Sequence, residues 1–199
     1  MTARRVSGCL LALVLGLWLW SPPACGLGAP APFDLTQLMA RLGTVKSGSA
    51  RFTEQRYLHM LKAPLEDSGI LVYEAPDKLQ KQTLLPRPEN MVIEGDVLTI
   101  DAEGKQQTLS LTDYPQLGAF IEGIRATLAG NRTALERIYD TQLHGSLDAW
   151  VLRLSPRDPA MQAIVSSISI SGSGTRIGQV ETVEHDGDRT VMTIAEGNP

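Results

Sequence analysis

Between Ala50 and Pro86 the apolar positions repeat as they do in strands rather than in helices. Arg51 to Leu61 is long and mostly polar, and Lys62-Ala63-Pro64 breaks it. Ser68 to Glu74 puts Ile70 and Val72 on one face and Leu71 and Tyr73 on the other. A strand with one wet face alternates apolar and polar residues, so a strand apolar on both faces is expected to be covered on both. Ala75-Pro76-Asp77 turns the chain and Lys78 to Leu85 returns it. The pattern predicts three consecutive antiparallel strands.

The same rhythm continues. Met91 to Ile93, Val97 to Ile100 and Lys105 to Leu111 read as short strands separated by Glu94-Gly95-Asp96 and Asp101-Ala102-Glu103-Gly104. Tyr139 to Leu147 and Ala149 to Ser155 form a hairpin in which Trp150, Leu152 and Leu154 share a face. Ser166 to Ser171 turns Ile168 and Ile170 inward, and Arg176 to His185 pairs with Arg189 to Ile194 around Asp186-Gly187-Asp188. Helical spacing occurs in few places. Asp34 to Leu42 places Leu35, Leu38, Met39 and Leu42 on one side, with Gln37 three residues after Asp34 as in a capping box. Asp113 opens the longest helix, where Tyr114, Leu117, Ile121, Ile124 and Leu128 recur three and four apart, Phe120 widens the stripe and Gly130 ends it. Asn131 to Arg137 is a shorter helix, and Pro159 starts a single turn through Ile164. The predicted class is α+β: a strongly curved antiparallel sheet, an unclosed barrel of about 10–11 strands, covered by about three helices.

The first residues follow another pattern. Arg4 and Arg5 precede the apolar run Leu10 to Trp20; Ser21-Pro22-Pro23 ends the run and small residues follow. This is the layout of a secretory signal peptide over residues 1–28, cut near Gly26 or Gly28. The run is short for a membrane-spanning helix. Pro22 stands where a lipidation signal ahead of Cys25 would want leucine. Residues 29–199 then form a single exported domain without cysteine, which depends on core burial rather than disulfides.

Composition narrows the functional classes. Of 199 residues 43% are hydrophobic and 20% charged, enough for one domain with a core. The formal charge of −4 argues against nucleic acid and against an anionic membrane as an electrostatic docking surface. His59, His144 and His185 are far apart in sequence, and none has a second ligand at metal spacing. There is no Gly-x-Ser-x-Gly elbow, and Ser171-Gly172-Ser173-Gly174 lacks the lysine and helix of a phosphate loop. The expectation is a binding protein, not an enzyme, with no cofactor and no metal. From periodicity alone the apolar stripe of the long helix reads as core before it reads as the lid of a greasy hollow. In the second case each buried methylene contributes about 0.8 kcal/mol, so about ten give roughly 8 kcal/mol before losses.

Several stretches in series resemble the outer-membrane lipoprotein carrier family, the LolA-like proteins: Ala50-Arg51-Phe52-Thr53-Glu54-Gln55, Ser68-Gly69-Ile70-Leu71-Val72-Tyr73, Pro76, Leu79, Leu85-Pro86-Arg87-Pro88, and Val92 to Leu98. The resemblance implies a monomeric periplasmic carrier that shields acyl chains of lipoproteins or lipids between an inner-membrane exporter and an outer-membrane acceptor. On that reading the cargo lies against Phe52, Ile70, Val72, Leu117, Ile121, Ile124, Leu128 and Trp150. A strand phase shifted by one exchanges Ile70 and Val72 for Leu71 and Tyr73. The alternative is an accessory or sensor domain of the same fold, serving a lipid exporter or envelope-stress signalling. Where the family carries an arginine that latches the helical lid, this chain has Ala75.

Overall fold

The computed structural model describes residues 33–196. The expected signal peptide and its cleavage site lie outside the described residues. Among those described, no helix is long and apolar enough to cross a membrane.

Helix α1 (Leu35–Leu42) starts as its sequence requires: the Asp34 carboxylate accepts from the Gln37 backbone N–H at 2.8 Å, and Leu38, Met39 and Leu42 are buried. Six strands follow as a meander: β1 (Ser47–Tyr57), β2 (Leu65–Glu74), β3 (Lys78–Leu85), β4 (Glu89–Glu94), β5 (Val97–Ala102) and β6 (Lys105–Ser110). The chain then passes through a 3-10 turn (Leu111–Asp113), α2 (Pro115–Leu128) and α3 (Arg132–Ile138). It continues into β7 (Tyr139–Ser146), β8 (Ala149–Pro156), the short α4 (Pro159–Gln162), β9 (Val165–Ser173), β10 (Arg176–Glu184) and β11 (Arg189–Glu196).

All eleven strands belong to one antiparallel sheet in the order β6-β5-β4-β3-β2-β1-β11-β10-β9-β8-β7. The edges β6 and β7 do not pair, so the barrel is unclosed. They are consecutive in sequence, and the 3-10 turn, α2 and α3 carry the chain from one edge to the other. Helix α2 has 14 residues, about 21 Å at 1.5 Å per residue, and lies across one face of the sheet for this topological reason. The last strand sits in the middle, where β11 pairs with β1 through Phe52 opposite Ile194.

Cross-strand partners share a face, so the register fixes which side chains turn toward the helices. Phe52 faces Gly69, and Tyr73 faces Leu79, which faces Ile93 and then Leu98. On the other side of the β1–β11 seam, Met192 is opposite Val180, Val180 opposite Ile170, and Ile170 opposite Leu152. This inner face carries two apolar clusters. One joins Trp150, Leu152, Leu154, Ile168 and Ile170 to buried residues of α1, α2, α3 and α4. The other joins Leu98 to Leu111 and Ile121, with Met91, Ile93 and Leu117 packed against them.

Several boundaries differ from the sequence expectation, the first strand and the longest helix most informatively. The first strand starts at Ser47 and ends at Tyr57, because Ser47-Gly48-Ser49 pairs with Val72, Tyr73 and Glu74 despite its weak strand composition. Residues 58–64 form the connection to β2. The longest helix does not start at Asp113 with a capping box. Pro115 fixes φ for a first helical position and disfavours helical geometry in the residue before it. Tyr114 therefore sits outside at φ −128° and ψ 72°, and Asp113 closes a separate 3-10 turn. The helical turn expected from Pro159 is present as α4 but ends at Gln162 rather than Ile164, and is capped by the Asp158 carboxylate on the Met161 N–H.

Candidate functional site

The residues expected to line a cavity do not form one surface. Trp150 is buried in the first cluster and Ile121 in the second, with Leu117 beside it. Phe120 packs against both clusters. Ile124 and Leu128 are half-buried on α2. Phe52 is buried on the inner face between the clusters. Ile70 and Val72 lie on the outer face, since Gly69, opposite Phe52, puts Leu71 and Tyr73 on the inner one. The phase is set by a close approach. A Cβ on Gly69 would stand 1.9 Å from the Gln82 carbonyl oxygen and 2.9 Å from the Phe52 ring. No side chain fits beneath that ring, so the bare glycine must face it.

Between the clusters the inner face adds a charged pair to the apolar Phe52 and Leu71. Glu54, 7% exposed, accepts from the Lys81 ammonium through both oxygens at 3.0 and 2.8 Å. Lys81 also lies 5.1 Å from the centre of the Phe52 ring, a cation–π contact. The Tyr73 hydroxyl is buried without a hydrogen-bond partner among the described residues, and burial raises its pKa. Phe52 and Glu54 are two apart in one strand, as are Leu79 and Lys81, so each pair shares a face, but only the strand order brings Glu54 and Lys81 together.

Helix α2 is held at two places. On one side Tyr139, fully buried, presses its ring onto Gly123, where a Cβ would come within 2.5 Å of it. On the other, the buried Arg125 guanidinium donates to the Gly95 carbonyl in the β4–β5 turn, with Glu122 at 3.8 Å. Arg125 Nε is buried without a hydrogen-bond partner among the described residues. This tether runs from helix to sheet.

Two surface grooves open elsewhere. One lies among Pro156, Pro159, Gln162 and His185, the other among Gln82, Pro86, Arg87 and Asp101. At the end of the sheet holding the β1–β2 connection, His59 meets the β10–β11 turn. Its backbone N–H and its Nδ1 both reach Asp188 Oδ1, at 2.8 and 2.7 Å. His59, Asp186 and Asp188 bring three possible ligand atoms within 4.8 Å of one another, a grouping invisible in sequence spacing. Here the imidazole is engaged by Asp188.

The His59–Asp188 pair sets a pH dependence. The Asp188 hydrogen bond, then its charge, raises the His59 pKa above the usual 6.5. The His59 backbone N–H, followed by its side chain, lowers the Asp188 pKa below 3.8. The raised histidine stabilises the fold fully below 6.5, and that contribution is lost as pH rises through its folded value. The lowered carboxylate contributes above 3.8, and its share is lost as pH falls through its folded value. The pair therefore acts between these two limits. In an NMR titration the His59 ring should show a midpoint above 6.5, and Asp188→Asn should return it close to 6.5. An unchanged midpoint in that variant would contradict the assignment.

Residues 27–198 match the family model described as outer membrane lipoprotein carrier protein LolA-like. The chain belongs to this family. Comparison with curated proteins finds no match. Among solved structures, a LolA superfamily protein from Nitrosomonas europaea is similar at 10% identity and a TM-score of 0.45, over 84% of this chain and 95% of that one. The MucA/MucB complex of Pseudomonas aeruginosa gives 14% and 0.45, over 82% of this chain and 56% of that chain. The lipoprotein LppX of Mycobacterium tuberculosis gives 9% and 0.43, over 81% and 93%. This member of the LolA-like family has an open sheet with helices across its inner face, and a charged pair between its two apolar clusters.

Proposed function

We propose that this LolA-like protein is a non-enzymatic carrier of the bacterial envelope, exported to the periplasm, that holds the acyl chains of a lipid or lipoprotein between α2 and the inner face of its sheet. The observation that carries the proposal is the position of α2. It crosses an open sheet over two separate apolar clusters that Phe120 bridges. In this state the side chains of α2 occupy the site, and an entering acyl chain takes their place. Leu117, Ile121, Ile124 and Leu128 then line the guest from the helix side, and Phe52, Leu71, Leu98 and Ile100 from the sheet. Release of the Arg125 tether opens the helix. The cargo passes from an inner-membrane exporter to an outer-membrane acceptor.

A chain starting at Leu27 contains a single tryptophan, Trp150, which serves as an energy-transfer donor. A dansyl-labelled fatty acid should bind it and quench Trp150 emission. Arg125→Ala should speed the uptake, and Leu117→Asp/Ile124→Asp should weaken it at least tenfold while the circular dichroism is unchanged. The carrier reading fails if the unmodified chain takes up no probe, or if the folded double variant takes it up equally well.

A further inference from the structure

Apolar exposure is unevenly distributed. Six of the nine large apolar side chains exposed among the described residues lie at one end of the sheet. Ile164 stands apart, before β9; the other five are Met60, Leu61, Leu65, Leu84 and Leu85. They occupy two connections that are neighbours because β1, β2, β3 and β4 are antiparallel. The β1–β2 connection carries Met60 and Leu61, with Leu65 opening β2. The other follows Leu84 and Leu85, which close β3 beside a break in register with Ser68 and Gly69. Met60 is 76% exposed and Leu85 64%. Side chains this large and this far out of the fold are candidates for a partner, since isolated exposed residues are ordinary but a cluster at one rim is not.

Charge identifies the partner's chemistry. Lys62 follows Leu61 and Arg87 follows Pro86; both are exposed, and neither makes an ion pair among the described residues. Of the carboxylates beside Leu65, Asp67 is paired with Arg56 at 2.8 Å, while Glu66 accepts from the neutral Gln55 amide at 2.8 Å and keeps its charge. Apolar tips interleaved with two uncommitted cations match the layered chemistry of a lipid surface. The tips enter the acyl boundary, while long cationic side chains reach back to headgroup phosphates. A protein surface would need a shaped, largely flat contact, whereas these residues cluster on the ends of two loops. We infer that this rim docks on a phospholipid bilayer by shallow insertion of Met60, Leu61, Leu84 and Leu85, with Lys62 and Arg87 at the phosphates. The whole-chain charge of −4 makes insertion, rather than long-range attraction, the main attachment. The Glu54–Lys81 pair lies at this same end of the inner face: Glu54 is opposite Asp67, two residues from Leu65. The inference goes beyond the carrier reading and does not require it.

The test uses the chain from Leu27, which keeps every described residue and omits the apolar run Leu10 to Trp20. It should co-sediment with phosphatidylcholine vesicles, and a few-fold better when a third of the lipid is phosphatidylglycerol. Met60→Ser/Leu61→Ser/Leu84→Ser/Leu85→Ser should lower the partition coefficient at least tenfold with unchanged thermal unfolding. Lys62→Glu/Arg87→Glu should abolish only the phosphatidylglycerol increment. The inference is overturned if the unmodified chain stays in the supernatant, or if the fourfold serine variant sediments equally. It is also overturned if, without lipid, the unmodified chain is a dimer by sedimentation equilibrium that the serine variant converts to monomer, because the rim would then seat a second copy. None of these readings depends on acyl-probe uptake, so failure here and failure of the carrier reading are separable.

Discussion

Lys81→Met should destabilise the protein by about 2–3 kcal/mol in urea unfolding, although the replacement is apolar and of similar length. The reason is the partner left behind. Glu54 is 7% exposed, and both its oxygens accept from the ammonium that would be gone. A buried charge stripped of its partner costs several kcal/mol, and the partial exposure of Lys81 reduces this somewhat. Replacing both residues tests the cause. Lys81→Met/Glu54→Leu removes the orphan charge and should recover most of the loss, because apolar substitutes for a buried pair are often neutral or better. If the single and double variants lose the same stability, the pair is not what matters, and Lys81 acts through its stem over Phe52.

Trp150→Ala should cost about 4 kcal/mol, the range for truncating a large buried aromatic. That is a large part of the 5–15 kcal/mol that stabilises a typical domain. The indole is 1% exposed and packs among residues from several strands and helices. Its Nε1–H donates to the Gly174 carbonyl at 3.1 Å. Its ring lies flat against β9: a Cβ on Gly172 would be 2.5 Å from Cζ2. Circular dichroism in urea is the suitable readout, since the variant loses its fluorophore. Trp150→Phe should retain more than half of the stability. A loss below about 1 kcal/mol in Trp150→Ala would show that this half of the interior is loosely packed.

Much of this architecture was legible in the alternation of apolar residues, because hairpins are local. Lys78–Leu85 was read with both of its ends correct. Ser166 to Ser171 and the facing of Trp150, Leu152 and Leu154 followed from period two alone. The phase of β2 did not follow. With Ile70, Leu71, Val72 and Tyr73 all apolar, hydrophobicity cannot say which face is inner, and the decision rests on Gly69 and its partner across the sheet. The Glu54–Lys81 pair joins residues on two strands separated by a third, so no short-range spacing reports it. The same holds for His59 with Asp188 and for Arg125 with Gly95. The helix start at Pro115 was legible locally, from the conformational restriction proline imposes on Tyr114, which outweighs the capping pattern of Asp113 and Gln116.

The central position of β11 has a consequence for how the molecule is made. Until that strand arrives, β1 to β6 and β7 to β10 are two separate ribbons, each with a raw edge. Closing them joins segments nearly the whole chain apart, a slow step by the entropy of bringing distant segments together. A chain interrupted before Arg189 would therefore leave two sticky flanks able to recruit strands from other molecules. Its final eight residues of sheet act as the keystone that hides them.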